Sequence, residues 1–201
     1  MHMSSTFFIS AALALAITGS LLYASVPAHA QVERPSASTQ QEHASLLGGK
    51  IKFALPPDFV DMKIPSSPAA NGSEGVTAFA YAKQARQQMV LASEQSPMAE
   101  GARAQDNDAR FLDGVMASFI RQQASWPQYQ RQGEKSHTIK GLGFRQIDAI
   151  ASFDGIPMRV TLLLAGSGDT LALIRITSKA DDAAGHDSLV ASVLEGIRSG
   201  H

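Results

Sequence analysis

The apolar positions of this chain change period twice, and each change marks an element. Residues 50–55 alternate, with Ile51, Phe53 and Leu55 on one side and Lys50, Lys52 and Ala54 on the other, the period of a strand with one buried face. Pro56 and Pro57 remove the next ladder donors and stop it. A turn-rich segment with Pro65, Pro68, Asn71 and Gly72 follows, then apolar runs at 76–82 and 89–92 predict a second and third strand. At 108–124 the period lengthens. Phe111, Val115 and Phe119 recur every four residues beside Leu112, Met116 and Ile120, which predicts a helix with a broad buried stripe. Asp106 or Asn107 is placed to cap it, Gly114 lowers its propensity but permits close packing, and Trp126-Pro127 ends it.

The strand period then returns. Residues 129–139 are mostly polar and suit an edge strand, whereas 144–153, 157–165 and 170–178 predict a meander turning at Asp154-Gly155 and Gly166-Ser167-Gly168-Asp169. Ile147, Ala149, Ala151 and Phe153 share one face, opposite Gln146, Asp148, Ile150 and Ser152. Residues 161–165 and 171–176 are apolar on nearly both faces, so these central strands require cover on two sides. One cover is a last helix at 187–198, with Leu189, Val190, Val193, Leu194 and Ile197 on a single face, Asp187 as its cap and Gly200 just beyond its end. The expected fold class is α+β, an α/β/α sandwich with a central antiparallel sheet.

Composition narrows the function classes. The 201 residues carry 17 Lys+Arg against 18 Asp+Glu and no Cys, which argues against a broad nucleic-acid footprint and removes disulfides, thiolate catalysis and Cys-ligated zinc. At 44% hydrophobic and 17% charged, the chain is a globular one. Its first thirty residues read as a signal peptide. No charged residue lies in 4–25, and Ala28-His29-Ala30 presents small residues at the two positions that a signal peptidase reads, so cleavage is expected after Ala30. The segment before the apolar run holds no Lys or Arg, and residues 7–23 approach a spanning length, so an uncleaved inner-membrane anchor is the alternative to release into the periplasm. Residues 31–45 read as a flexible leader and 46–201 as one domain.

Candidate chemistry is sparse. Gly48-Gly49-Lys50 is too short for a phosphate loop and reads as a turn into a strand. Gly166-Ser167-Gly168-Asp169 lacks the nucleophile-elbow pattern and sits between antiparallel strands. Asp148 and Asp154 invite the idea of paired carboxylates, but Asp154 belongs to an Asp-Gly turn and Asp148 lies opposite the Ile147/Phe153 stripe, which favours structural or solvated roles. His43, His137, His186 and His201 show no metal-ligand spacing. No catalytic, cofactor-binding or metal-ligating residue is assigned, and no cofactor is expected. Trp126, Tyr129, Arg121 and Arg131 gather around the helix exit and form the candidate partner contact, with packing of Trp126 against the helix end as the other reading. Met89, Met116 and Met158 fit core positions.

Three stretches carry a family resemblance: Leu47-Gly48-Gly49-Lys50-Ile51-Lys52-Phe53-Ala54-Leu55-Pro56-Pro57-Asp58-Phe59, then Ile139-Lys140-Gly141 with Gln146-Ile147-Asp148-Ala149-Ile150-Ala151-Ser152, and residues 162–178 across the glycine turn. They resemble the DcrB family, small periplasmic or membrane-tethered proteins of Gram-negative bacteria related in fold to PsbP and Mog1. The likeness covers residues 46–200. It implies a PsbP/Mog1-like α/β/α sandwich and a role in envelope maintenance or bacteriophage sensitivity, through binding of a protein partner or small envelope component, and it brings no catalytic residue. DcrB itself resembles a lipoprotein held by a cysteine, and this chain, without Cys, has no lipid anchor through cysteine. The expectation is a noncatalytic periplasmic binding protein; the alternative is a hydrolase with carboxylates assembled across the sheet.

Overall fold

The computed structural model describes residues 43–63, 76–95 and 103–200. Strand β1 (His43–Leu46) turns through Leu47–Gly49 into β2 (Ile51–Ala54), and these two pair only with each other as a ribbon. The remaining strands are β3 (Val60–Asp61), β4 (Val76–Lys83), β5 (Gln88–Gln95), β6 (Gln130–Ile139), β7 (Leu142–Phe153), β8 (Ile156–Ser167) and β9 (Thr170–Lys179). They form one antiparallel sheet in the order β3-β4-β5-β9-β8-β7-β6. Helix α1 (Ala109–Gln123) precedes β6 and α2 (Ala183–Ser199) closes the chain.

The long hairpins follow from their turn residues. Lys140-Gly141 (φ 53° and 80°) and Asp154-Gly155 (φ 51° and 80°) both lie in the left-handed region, the twist that joins two strands by two residues. Side-chain alternation then sends odd-numbered β7 residues and even-numbered β8 residues to one face. There Val115, Met116 and Phe119 of α1 pack on Ile147, Val160, Leu162 and Leu164, and the Arg145–Asp113 ion pair (2.6 Å) ties helix to sheet. On the other face Leu189, Val193 and Ile197 of α2, with Phe53 and Leu55 from the ribbon end, cover Leu163, Ile174 and Ile176. Both faces of β8 are therefore buried over most of its length, whereas β9 is buried toward α2 and only half-buried toward α1 at Leu171, Leu173 and Arg175. The result is an α+β molecule, helix on sheet on helix and ribbon.

Gly196 permits the closest of these contacts. A Cβ there would lie 3.0 Å from the Phe53 Cβ and 3.3 Å from its Cα, so α2 reaches the ribbon at backbone range.

Several local expectations are corrected. Asp108, not Asp106 or Asn107, caps α1 by accepting from the Phe111 N–H at 2.9 Å, and Asp106 instead binds Lys50 and Ser167. Helix α2 starts four residues before Asp187, because Asp182 takes the cap by accepting from Gly185 N–H at 3.1 Å. Gly114 is exposed and a Cβ would meet nothing within 4 Å, so it serves no close packing. The 50–55 strand belongs to the ribbon rather than the main sheet, and its partner includes residues 43–45, assigned above to the leader. Ala28, Ala30 and the 65–72 turn segment lie outside the described residues.

Candidate functional site

The polar residues that interrupt the central strands meet in one chain beneath α2. Register places Asp148 of β7 opposite Thr161 of β8, and the first turns of α2 lower His186 onto the same face. Thr161 Oγ1 donates to Asp148 Oδ1 at 2.7 Å, so its oxygen accepts from His186 Nε2 at 2.9 Å, which leaves His186 Nδ1 to accept from Ser178 Oγ at 2.5 Å. The proton order Ser178→His186→Thr161→Asp148 follows from Asp148 being able only to accept. At the outer end, Gln146 Nε2 donates to both Asp148 oxygens (2.8 and 3.0 Å), Gln146 Oε1 lies 2.7 Å from His137 Nε2, and Lys135 pairs with Asp148 at 3.2 Å.

This order resembles a serine–histidine–acid relay, yet it is sealed. Ser178 is 0% exposed, Thr161 1% and His186 4%, so Ser178 Oγ meets no substrate in this conformation. Burial is the largest single influence on both titrating groups, and it decides the outcome only for His186. It lowers the His186 pKa, holding the ring neutral. It would raise that of Asp148, but the bonds from Gln146, Thr161 and Lys135 outweigh it and keep the carboxyl ionised below its usual range.

The predicted partner residues surround the exit of α1. Trp126 is half-buried and stands edge-on to Phe153 (centroids 5.5 Å, planes at 63°) and to Tyr129 (6.3 Å, 87°), at the rim of the α1 cluster. Phe153 was absent from the predicted set. It joins because its register partner Ile156 places the end of the β7–β8 hairpin beside the helix exit, and Ile156 is among the few large apolar side chains exposed. The Tyr129 hydroxyl is buried without a hydrogen-bond partner, and burial raises its pKa, so this ring packs inward rather than presenting its oxygen. Arg131 is exposed and paired with Glu134 at 2.5 Å. Arg121 is exposed in the last turn of α1, with no hydrogen bond or ion pair among the described residues. The fold thus gathers Trp126, Tyr129 and Phe153 by direct contact, with Arg131 near Tyr129, and shows no contact of Arg121 with these rings among the described residues.

A cavity of about 360 Å³ opens at the far end of α2, lined by Lys50, Lys52 and Lys140 with Asp106 and Gly200. Lys50 is already engaged there, 2.7 Å from Asp106 and 2.8 Å from Ser167, and that ammonium holds the Asp106 carboxyl below its usual pKa. Among the described residues no group of three His, Cys, Asp or Glu could hold a metal ion, and no helix is long and apolar enough to cross a membrane.

No family model and no curated protein matches the chain. Solved structures do. Cyanobacterial PsbP (CyanoP) from Synechocystis matches at TM-score 0.52 and 8% identity, over 85% of this chain and 96% of that one. PA94 from Pseudomonas aeruginosa, a protein of unknown function, matches at TM-score 0.46 and 14% identity, over 78% and 94% of the two chains. LpqN of Mycobacterium tuberculosis, involved in cell envelope biogenesis, matches at TM-score 0.46 and 12% identity, over 78% and 88%. The likeness to CyanoP, taken with the seven-stranded antiparallel sheet and its two helices, gives this chain a PsbP-like fold.

Proposed function

We propose that the protein is a noncatalytic binding protein of the bacterial envelope, of the DcrB kind, released into the periplasm after cleavage behind Ala30, with a protein partner or small envelope component as its ligand. Fold alone carries no activity. The observation that carries this reading is an asymmetry of access: the relay ending in Ser178 is closed, whereas half-buried Trp126 and Phe153, with exposed Ile156 in register with Phe153, form an apolar rim, and exposed Arg131 acts on neighbouring Tyr129. Half-buried aromatics flanked by guanidinium groups are the composition of interface anchors.

The test is made in intact cells, with a photoreactive phenylalanine analogue at position 126 and, as control, at Lys52 beyond the other end of the sheet. A specific adduct from position 126, reduced several-fold by Arg121→Ala/Arg131→Ala with the urea midpoint unchanged, supports the reading. Equal adducts from both positions, or none from 126, reject the surface. N-terminal sequencing of the periplasmic protein checks the processing, and an intact Met1 terminus in washed membranes rejects the released form.

A further inference from the structure

The cavity at the C-terminal end of α2 is lined by cationic side chains from three places in the chain. Lys50 follows the 47–49 turn of the ribbon, Lys52 lies in β2, and Lys140 opens the two-residue turn between β6 and β7. Asp106 is the one acid in its wall, and Leu142 and Ile197, both buried, are its apolar part. Two bare glycines let the lysines lie inward. A Cβ at Gly200 would stand 2.7 Å from Lys140 Nζ, and one at Gly49 would stand 3.2 Å from Lys52 Cε. Both exposed side chains therefore rest against glycine backbone at the cavity wall, where a larger residue would push them away. The free volume is about 360 Å³, the size of a small-molecule site.

The charges around this space do not balance. Lys50 donates to Asp106 at 2.7 Å and to Ser167 at 2.8 Å, and Ser167 also donates to that carboxylate at 2.6 Å, so the acid of the cavity is already engaged. Lys52 and Lys140 have no hydrogen bond or ion pair among the described residues. Glu195, one turn back along α2, is paired with Arg198 at 3.3 Å. The last carbonyls of α2 offset only about half a charge beside Lys140, which leaves the cavity positive. A single exposed ammonium needs no partner, but two of them held at one cavity with no free acid repel each other and are relieved by an anion.

We propose that this cavity binds a small phosphate monoester, with Lys52 and Lys140 holding the dianionic phosphate and Leu142 and Ile197 meeting its carbon body. Ammonium groups on flexible stems bind phosphate as point charges, and one dianion answers both of them without a second anionic group. The site is separate from the partner surface: Leu142 and Ile197 belong to the cluster under α2, and Trp126 to the cluster under α1.

The experiment is calorimetric titration of the full chain at low ionic strength with glycerol 3-phosphate, inorganic phosphate, malate and glycerol. Saturable binding of glycerol 3-phosphate is expected, about tenfold or more tighter than glycerol and several-fold tighter than inorganic phosphate or malate. Lys52→Met/Lys140→Met keeps both stems and should weaken it by about tenfold or more, with the urea midpoint unchanged because both side chains are exposed. Should that variant not fold, either single substitution decides, each expected to lose about threefold or more. Arg121→Ala/Arg131→Ala removes the same charge elsewhere and should bind within about twofold of the wild type, which separates failure here from failure of the partner surface. A small phosphate gives no protein adduct at position 52, so the crosslinking control there keeps its meaning. No saturable binding, glycerol binding as tightly, or an equal loss in the two double variants overturns the site. Inorganic phosphate or malate binding as tightly as glycerol 3-phosphate overturns the assignment to a phosphate monoester.

Discussion

The two faces of the sheet handle polar groups in opposite ways. Under α2, four side chains from β7, β8, β9 and the helix close into a chain in which each donor has an acceptor, with Asp148 ionised at one end and Ser178 sealed at the other. Under α1, Arg175 stands among leucines with an unmet Nε, and the rings at the helix exit remain partly open. A satisfied buried network adds rigidity and specifies a unique packing, whereas an unsatisfied group lowers stability. The closed network thus lies on the α2 face, and the open rings of the proposed partner surface lie on the α1 face.

The largest way to break that comparison is Leu194→Asp. Leu194 is buried in the α2 cluster, and an unpaired carboxylate there is expected to cost about 4 kcal/mol or more in urea unfolding. A near-wild-type transition would show that this face of α2 does not carry the core.

Replacing His186 by Leu should cost about 1–3 kcal/mol, because Ser178 loses its acceptor in a site closed to water. The same residue sets a pH dependence. Its folded pKa lies below its ordinary 6.5, so below that pH the unfolded chain binds the extra proton and the folded one does not. Stability is therefore full above about 6.5 and declines as pH falls from there toward the folded pKa. Asp148, also lowered, adds a second loss below its ordinary 3.8. Urea midpoints measured from pH 8 to 5 should fall in the wild type and stay flatter in His186→Leu; parallel profiles would mean that His186 is not the titrating group.

On the other face Arg175→Met should leave unfolding free energy unchanged or raise it by about 1 kcal/mol, since it removes a desolvated charge and keeps the stem volume. A loss near 3 kcal/mol in differential scanning would reveal a partner for the guanidinium and collapse the contrast. The smallest effect is expected at Gly114, which lies exposed in α1 with free space at its Cβ position. Gly114→Ala should stabilise by about 0.5–1 kcal/mol, read as a small rise in melting temperature.

Much of the architecture was legible in the chain. The four-residue period of Phe111, Val115 and Phe119 and the two-sided apolar runs of β8 and β9 carry the layer order, because burial requires those periods whatever the partners are. Helix starts were misplaced for a local reason: Asp106, Asn107 and Asp108 are chemically equivalent caps, as are Asp182 and Asp187, and which one is used depends on where the preceding strand delivers the chain. Trp126 and Tyr129 were found together because they are close in sequence, and Phe153 was missed because it is brought in by hairpin register.

The relay and the lone arginine show the remaining limit. Polar residues at Asp148, Thr161 and Ser178 in otherwise apolar strands were the available signal, yet residues 148, 161, 178 and 186 come from four elements, and only cross-strand register and the descent of α2 place them in contact. Arg175 reads in the sequence as one polar position in an alternating strand. Its isolation is a property of neighbours on β5 and β8, far away along the chain. Periodicity fixes which face a residue takes, since it depends only on the local backbone. Whether a charge on that face finds a partner is a question of pairing across strands, and that is settled by tertiary structure alone.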